Sequence, residues 1–479
     1  MDSIMFPVFK NKTGFEITFG NEVTVSVEWD SFSGNSASAR ASHSKAGYLH
    51  VTGFEKQYEE DSHIIKGLSP DQLLRFFNKA CSMRFTEEGE QCIAFFDFRL
   101  IEEMKVLFIG CYRDGTGWAQ AAIDYILAAD SAGVDIVCRP VKLNDSTAEI
   151  PNRIVELEKK PLSGCDVCIQ HVLPHLMDYN GRFKKNIGLY ASETSTMKYS
   201  SWPQKINRMD EAWVINSQMS DCATESDVSV PVKIIPHASD TSKFKRSHKK
   251  INLPTKGEFI FYFIGELIRR KNLVSLLKAF HLEFTTNEPV SLLIKTSKYG
   301  LSDDECAENV VGMCNAVKEN LKLYSSIDDY KQEIIVTERL SDEDIINLHN
   351  TCDCFVMPSF GEAWCIPAFD AMGFGKTPIC TNTGGMADFL SDGGGILVEG
   401  YPEPVFGMTE TFHDIYTGHE DWINVDIRGL QKAMRKIYTM HTDKDPDYKK
   451  MKEQGLKSAC KYSYENIGKL MEKEISDVK

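Results

Sequence analysis

From residue 104 onward, apolar runs that end in polar residues recur along the chain, each followed by a stretch with helical spacing. Residues 104–110 read as a buried strand, Gly115-Thr116-Gly117-Trp118 as a turn, and 119–132 as a helix. Further strands are predicted at 166–171, 188–191, 213–215, 232–235, 259–265, 290–295, 333–336, 354–357 and 377–380. Helices are predicted over 273–284 and 341–352, the latter capped by Ser341, with helix-rich stretches at 422–438 and 448–475. Strands alternating with helices predict an α/β fold with parallel sheets. Before residue 104 the pattern changes. Period-two alternation marks strands at 14–20 and 23–29, a Ser/Ala/Gly-rich loop follows at 31–44, then a helix at 70–82 and a strand at 92–98. The expected organisation is a small α+β module over 1–103, an acceptor-side Rossmann-like domain over 104–245, a second Rossmann-like domain over 246–408 and closing helices over 409–479, the last returning to the 104–245 domain.

A chain of 479 residues with 42% hydrophobic residues can bury more than one core. Its net charge of −15 argues against a generally basic nucleic-acid or membrane surface, although a local basic patch stays open. The 14 cysteines are scattered without paired Cys-x-x-Cys ligand sets, and read as thiols of a reducing compartment. Neither a signal peptide nor an apolar run of the roughly 20 residues a membrane helix needs is visible, so a cytoplasmic location is expected.

Candidate chemistry concentrates at Pro358-Ser359-Phe360-Gly361-Glu362-Ala363-Trp364-Cys365-Ile366-Pro367-Ala368-Phe369-Asp370. The strand 354–357 ends at Pro358-Ser359, and Pro367 suits a first helical turn because its missing N–H would be unpaired there anyway. Glu362 therefore falls in a strand-to-helix loop and Asp370 about one turn into the helix, both at the carboxyl ends of the strands where open α/β sheets bind ligands. Amides at a helix start suit a diphosphate, and carboxylates suit sugar and ribose hydroxyls.

These residues resemble the retaining glycosyltransferases of family 4, which have the GT-B fold of two facing Rossmann-like domains. The resemblance covers residues 104–479 and leaves 1–103 unrecognised. The chain departs from the family pattern where Ala363 and Cys365 stand for glycines, Trp364 for Phe and Asp370 for the second Glu. The resemblance implies that Glu362 binds the donor sugar and Asp370 the ribose, with the main chain of Ala363, Trp364, Cys365 and Ile366 beside the donor. It also implies a phosphate-binding role for Lys271. Glu266 stands where the family often has an Arg, so Arg269 or Arg270 is expected to supply the second charge. Gly115 and Gly117 would let the backbone approach donor and acceptor, though the full dinucleotide fingerprint is missing. By the same likeness Arg339 and Leu340 line the base, Gly384 and Gly385 approach the donor, and Trp118, Glu193 and Thr194 face the acceptor. His171, ending the 166–171 strand, is expected beside both the donor sugar and the acceptor, with His175 taking its place if the register is shifted.

The expected function is transfer of a sugar from a nucleoside diphosphate sugar, a UDP- or GDP-sugar foremost, to a hydroxyl acceptor, with retention and with neither cofactor nor metal. The acceptor class stays open among glycan, lipid, protein and modified nucleobase, so nucleic acid enters only as acceptor. Two rivals stand beside it: another GT-B-like enzyme such as a sugar-nucleotide epimerase or phosphorylase, and a catalytically weak nucleotide-sugar-binding scaffold.

Overall fold

The computed structural model describes residues 104–476 except 143, 144, 256, 407 and 409–414, together with the backbone of six strands within residues 2–98. The chain divides into two compact units, Met1–Glu103 and Met104–Lys479.

In the first unit β1 (Asp2–Lys10), β2 (Gly14–Phe19), β3 (Val23–Ser33), β4 (Ser36–His43), β5 (Ala80–Glu88) and β6 (Gln91–Phe98) form a closed antiparallel barrel, with β1 pairing β6 to complete the ring. Closure leaves no edge strand unpaired. The loop expected at 31–44 is instead a hairpin in which Ser33 opposes Ser36. Ladder hydrogen bonds come from the backbone, so a run of small residues can pair as well as large ones. Of the helix expected over 70–82, residues 70–79 lie outside the described residues and 80–82 open β5.

The second unit holds two six-stranded parallel sheets. The first comprises β7 (Lys105–Gly110), β8 (Ile136–Pro140), β9 (Cys165–His171), β10 (Lys185–Leu189), β11 (Glu211–Val214) and β12 (Val232–Ile234), in the order β12-β11-β10-β9-β7-β8. Its helices are α1 (Gly117–Ser131), α2 (Asn152–Glu158), α3 (Trp202–Ile206) and α4 (Ser217–Glu225). The second sheet comprises β13 (Phe259–Ile264), β14 (Val290–Lys295), β15 (Ile334–Val336), β16 (Cys354–Met357), β17 (Ile379–Thr381) and β18 (Ile396–Val398), ordered β15-β14-β13-β16-β17-β18. Around it lie α5 (Leu273–Glu283), α6 (Asp303–Leu321), α7 (Asp342–Thr351), α8 (Ile366–Gly373) and α9 (Gly384–Leu390). Near-continuous apolar strands such as Phe259–Ile264, buried at every position, are what a sheet covered on both faces requires.

A hairpin of β19 (Gly400–Pro404) and β20 (Asp421–Val425) then leads into α10 (Ile427–Thr442), α11 (Pro446–Ala459) and α12 (Tyr464–Ser476). The helix-rich reading of 422–438 therefore fails at its start. Trp422 and Val425 turn inward from a strand whose backbone pairs with β19, and the Trp422 ring stacks on Phe360 at 4.6 Å. The glycine pair 384–385 opens α9, with Thr383 at its N-cap. The last helix docks on α1 so closely that a side chain on Gly468 would overlap the Ala128 carbonyl oxygen. Its Ile467, Met471 and Ile475 complete the core under the first sheet. No helix among the described residues is long and apolar enough to cross a membrane.

Candidate active site

Residues just past the carboxyl ends of β10, β11, β13, β16 and β17 come together in one crevice between the two parallel sheets. Pro358–Cys365 links β16 to α8 with no residue wasted on an excursion. The α8 N-cap, Cys365, has φ 70° and ψ 70°, a left-handed conformation that glycine tolerates and other residues enter under strain. Pro367 occupies the first turn of α8, and Asp370 follows in the middle of the helix.

Glu362 is buried and gathers three donors on Oε1: Lys271 Nζ at 2.7 Å, Ser359 Oγ at 2.7 Å and the Arg270 guanidinium at 3.1 Å. Burial raises the pKa of this carboxyl, but Lys271 and then Arg270 overcome it and hold the value at about 2. Arg270 also donates to the Gly361 carbonyl at 2.6 Å and approaches Glu193 at 3.5 Å, and Glu193 accepts from the Tyr416 hydroxyl at 3.2 Å. The result is a buried quartet of two cations and two carboxylates with no net charge. Of the two arginines left open by the sequence, Arg270 joins it. Arg269 turns the other way, pairing with Glu403 at 3.1 Å, donating to the Phe406 carbonyl and lying over the Trp422 ring.

Across the crevice the first half of the unit seals this loop. Asn216 caps α4 through Oδ1 and sends Nδ2 to the Ala363 carbonyl at 2.6 Å. Gln218 Oε1 accepts from the Gly384 amide at 2.6 Å and from Thr383 Oγ1 at 2.8 Å, and Asp388 accepts from the Ser217 amide at 2.9 Å. Gly361 packs so tightly on the Glu193 carbonyl that no Cβ would fit, and the same holds for Gly384, at φ 56°, against the carbonyl of Glu362. Glu193, Thr194, Asn216, Gln218, Glu362 and Gly384 thus surround a gap too tight for a water molecule. Entry of any ligand here requires the two halves to part.

The other predicted residues take these places in the closed crevice. The glycine pair at 384–385 does not offer free amides, since Gly384 N–H is held by Gln218 and Gly385 N–H donates to the Glu362 carbonyl at 3.1 Å. Trp364 is buried among Phe369, Phe389 and Tyr462, and Cys365 is buried in the same core, so their side chains are committed to packing. Leu340, Ala363 and Ile366, each partly buried, pack against that core as well. The exposed Arg339 lies over Gly115 on the far side of the crevice, where its guanidinium fills the space a side chain at 115 would take. Gly117, the first residue of α1, has open space around it.

Asp370 shares no partner with Glu362. It forms an ion pair with Lys243, in the segment joining the halves, at 2.7 Å, and burial raises its pKa while Lys243 partly offsets that rise. Beside it Asp124 binds His237 at 3.1 Å, Gln120 at 3.0 Å and the Tyr464 hydroxyl at 2.5 Å, tying α1, the joining segment and α12 together. His171 ends β9 as expected and is fully buried, its ring stacked on Trp118 at 4.7 Å and edged by Tyr125 at 5.9 Å. Neither ring nitrogen has a hydrogen-bond partner, and burial, with His237 second, pushes its pKa down to about 3, so the ring is neutral. His175 lies in the short 3-10 helix Pro174–Leu176 after β9. No group of three or more potential metal ligands occurs among the described residues, and the described cysteines are free thiols.

Sequence reasoning passed over Asn216, Gln218, Lys243 and Tyr416. A polar residue directly after the apolar strand at 213–215 signals a cap at the crevice, and would have found Asn216. Nothing local marks Lys243 or Tyr416.

Residues 244–404 match the family model of glycosyl transferases group 1. Among curated proteins, the chain is 24% identical over 168 residues to a lipopolysaccharide 1,2-N-acetylglucosaminetransferase of Salmonella typhimurium, covering 34% of this chain and 41% of that protein. It is 26% identical over 185 residues to a D-inositol 3-phosphate glycosyltransferase of Paenarthrobacter aurescens, covering 38% and 42%. The chain thus spans about two fifths of the length of these relatives. Among solved structures, HepE of Anabaena in complex with UDP and glucose aligns with TM-score 0.54 at 12% identity, over 78% of this chain and 100% of that one. Sucrose-phosphate synthase of Thermosynechococcus elongatus aligns with TM-score 0.52 at 15% identity, over 78% and 98%. The fold of the second unit is therefore GT-B, as the sequence resemblance implied.

Proposed function

We propose that this chain is a retaining glycosyltransferase that moves a sugar from a nucleoside diphosphate sugar to a hydroxyl acceptor without a metal. The observation that carries the reading is Glu362, buried and ionised between Lys271 and Arg270 within the stretch that matches the glycosyl transferase family model. Those two cations form a ready site for a diphosphate, and Glu362 and Glu193 hold their charge in its absence. As the halves part and a donor enters, the diphosphate takes the cations and the freed Glu362 accepts hydrogen bonds from sugar hydroxyls. Growing negative charge on the leaving group is then met by fixed positive charge, which lowers the barrier to breaking the glycosidic bond. Asp370 turns to the ribose when the crevice opens away from Lys243. The leaving phosphate oxygen takes the acceptor's proton, so no protein base is needed. His171, neutral, positions the sugar and does not deliver a proton. A relative named for N-acetylglucosamine transfer and a structural neighbour holding UDP put UDP-sugars first.

Protection against heat by a panel of UDP-, GDP- and ADP-sugars tests the donor assignment. At least one should raise the melting temperature, and Glu362→Ala and Lys271→Ala should weaken that rise; a panel that leaves it unchanged refutes the assignment. Mass spectrometry of products separates transfer from epimerisation or phosphorolysis, because only a transferase enlarges an acceptor. Donor hydrolysis that vanishes in Glu362→Ala excludes an inert scaffold.

A further inference from the structure

Between Asp240 and Glu258 the chain carries six Lys and Arg residues and no carboxylate, in a protein of net charge −15. This stretch joins the two halves of the second unit. It leaves the short 3-10 helix Thr241–Lys245 and runs on to Thr255 without regular secondary structure, yet its backbone is fastened. The Phe244 ring fills the space over Gly373 and meets Phe374 edge-on at 5.0 Å. The Lys249 amide donates to Asn347 Oδ1 at 3.0 Å and the Ile251 amide to Thr351 Oγ1 at 2.8 Å, while Asn350 Nδ2 donates to the His248 carbonyl at 2.8 Å. Held in this way against α7 and α8, the segment leaves Lys245, Arg246, Lys249 and Lys250 exposed.

These cations are short of partners. Among the described residues no carboxylate pairs with Lys245, Lys249 or Lys250, and Arg246 has only Asp240, at 3.6 Å between two exposed side chains. Lys376 and Lys452 add positive charge beside Lys250, and neither has a paired carboxylate among the described residues. Burial lowers the Lys376 pKa, Asp353 offsets part of that, and Lys452 and Lys250 lower it further. Like charges gathered without paired anions repel one another, and an anionic ligand relieves that repulsion.

We propose that Lys245, Arg246, Lys249 and Lys250 form a docking strip for a nucleic acid, held through its phosphodiester backbone. A row of cations meets a row of phosphates, since duplex DNA carries one charge per about 1.7 Å of its axis. None of the exposed residues between 245 and 255 is aromatic, Leu, Ile or Val, so the strip lacks the apolar anchors on which a membrane-surface site is built. The acidic remainder of the chain repels a polyanion and confines it to the strip. The strip begins two residues past Lys243, the partner of Asp370, so a bound strand passes close to α8. The surface goes beyond the transferase reading, and nothing in it draws on Glu362 or Lys271.

Fluorescence anisotropy of a labelled short DNA duplex of arbitrary sequence, titrated with the full chain, tests the proposal beside sedimentation with phosphatidylserine-containing vesicles. Each neutralised phosphate adds about −0.9 to the slope of log affinity against log salt, so four cations give about −3.6, a loss of about two orders of magnitude between about 50 and about 200 mM. The duplex should bind at the lower salt and follow that slope. Lys249→Glu combined with Lys250→Glu should halve the slope to about −1.8 and weaken binding at the lower salt by about tenfold or more, with the melting temperature and the response to UDP unchanged. The charge-matched pair Lys159→Glu with Arg208→Glu, at exposed positions of the first half, should bind as the unaltered chain does. Absence of duplex binding at the lower salt, tighter binding to the vesicles than to the duplex, or an equal loss in both double variants would each overturn the proposal. Because the response to UDP is read separately, failure of the donor assignment leaves this result standing, and the reverse holds too.

Discussion

Replacing Glu362 with Gln removes one charge from the buried quartet while keeping side-chain size, and so isolates the electrostatic contribution. The folded carboxyl sits at about 2 against an ordinary value of 4.5, a difference worth about 3 kcal/mol at roughly 1.4 kcal/mol per pH unit. The folded pKa is depressed, so this stability is present in full above pH 4.5 and is lost as pH falls from 4.5 toward 2. By the same relation less than half of it remains at pH 3. Unfolding entropy of roughly 2.1 cal/mol/K per residue gives about 0.8 kcal/mol/K for a unit of about 380 residues. Glu362→Gln should therefore lower the melting temperature by about 4 °C at pH 7, and by less than half of that at pH 3. Removing a partner from a buried ion cluster typically costs about 3–5 kcal/mol, which is consistent with this scale. Differential scanning calorimetry of both proteins at the two pH values is the measurement. An equal deficit at pH 7 and pH 3, or no deficit, would refute the reading that Glu362 is held ionised by Lys271 and Arg270.

Two further outcomes follow from the other buried titratable groups. Lys243→Met leaves Asp370 without its cation in a site where burial already raises its pKa, so stability should drop by a few kcal/mol and the deficit should grow as pH rises above the ordinary carboxylate range, where the unpaired side chain must ionise, read from melting temperatures on both sides of that range. For His171, with its pKa pushed to about 3, the native ring should show no titration shift between pH 5 and 8 by NMR. Its folded pKa lies below the ordinary 6.5, so its contribution favours folding above pH 6.5 and erodes below it. A His171 signal titrating near 6.5 would contradict its burial under Trp118.

Much of the second unit was legible locally. Phe259–Ile264 and Val290–Lys295 are buried at every position, so a continuous apolar run announces them, and Pro358-Ser359 with Pro367 marks where β16 ends and α8 begins. Trp422 misled because strand and helix are equally compatible with a short mixed stretch, and the deciding partner, β19, is supplied by pairing. The strand at 36–43 was hidden for a similar reason, its small residues carrying no signal of their own.

The chemistry of the site divides in the same way. Residue type and spacing by themselves determined that a carboxylate, a basic triplet and a glycine pair stand at strand ends of an α/β sheet, because strand-to-helix turns must fall where apolar runs stop. Only the tertiary structure decided which member of Arg269-Arg270-Lys271 turns toward Glu362, that Asp370 answers to Lys243, and that Gln218 occupies the Gly384 amide. Those choices are made between segments tens to hundreds of residues apart, where burial compels every charge and amide to find a partner and the nearest one is set by packing.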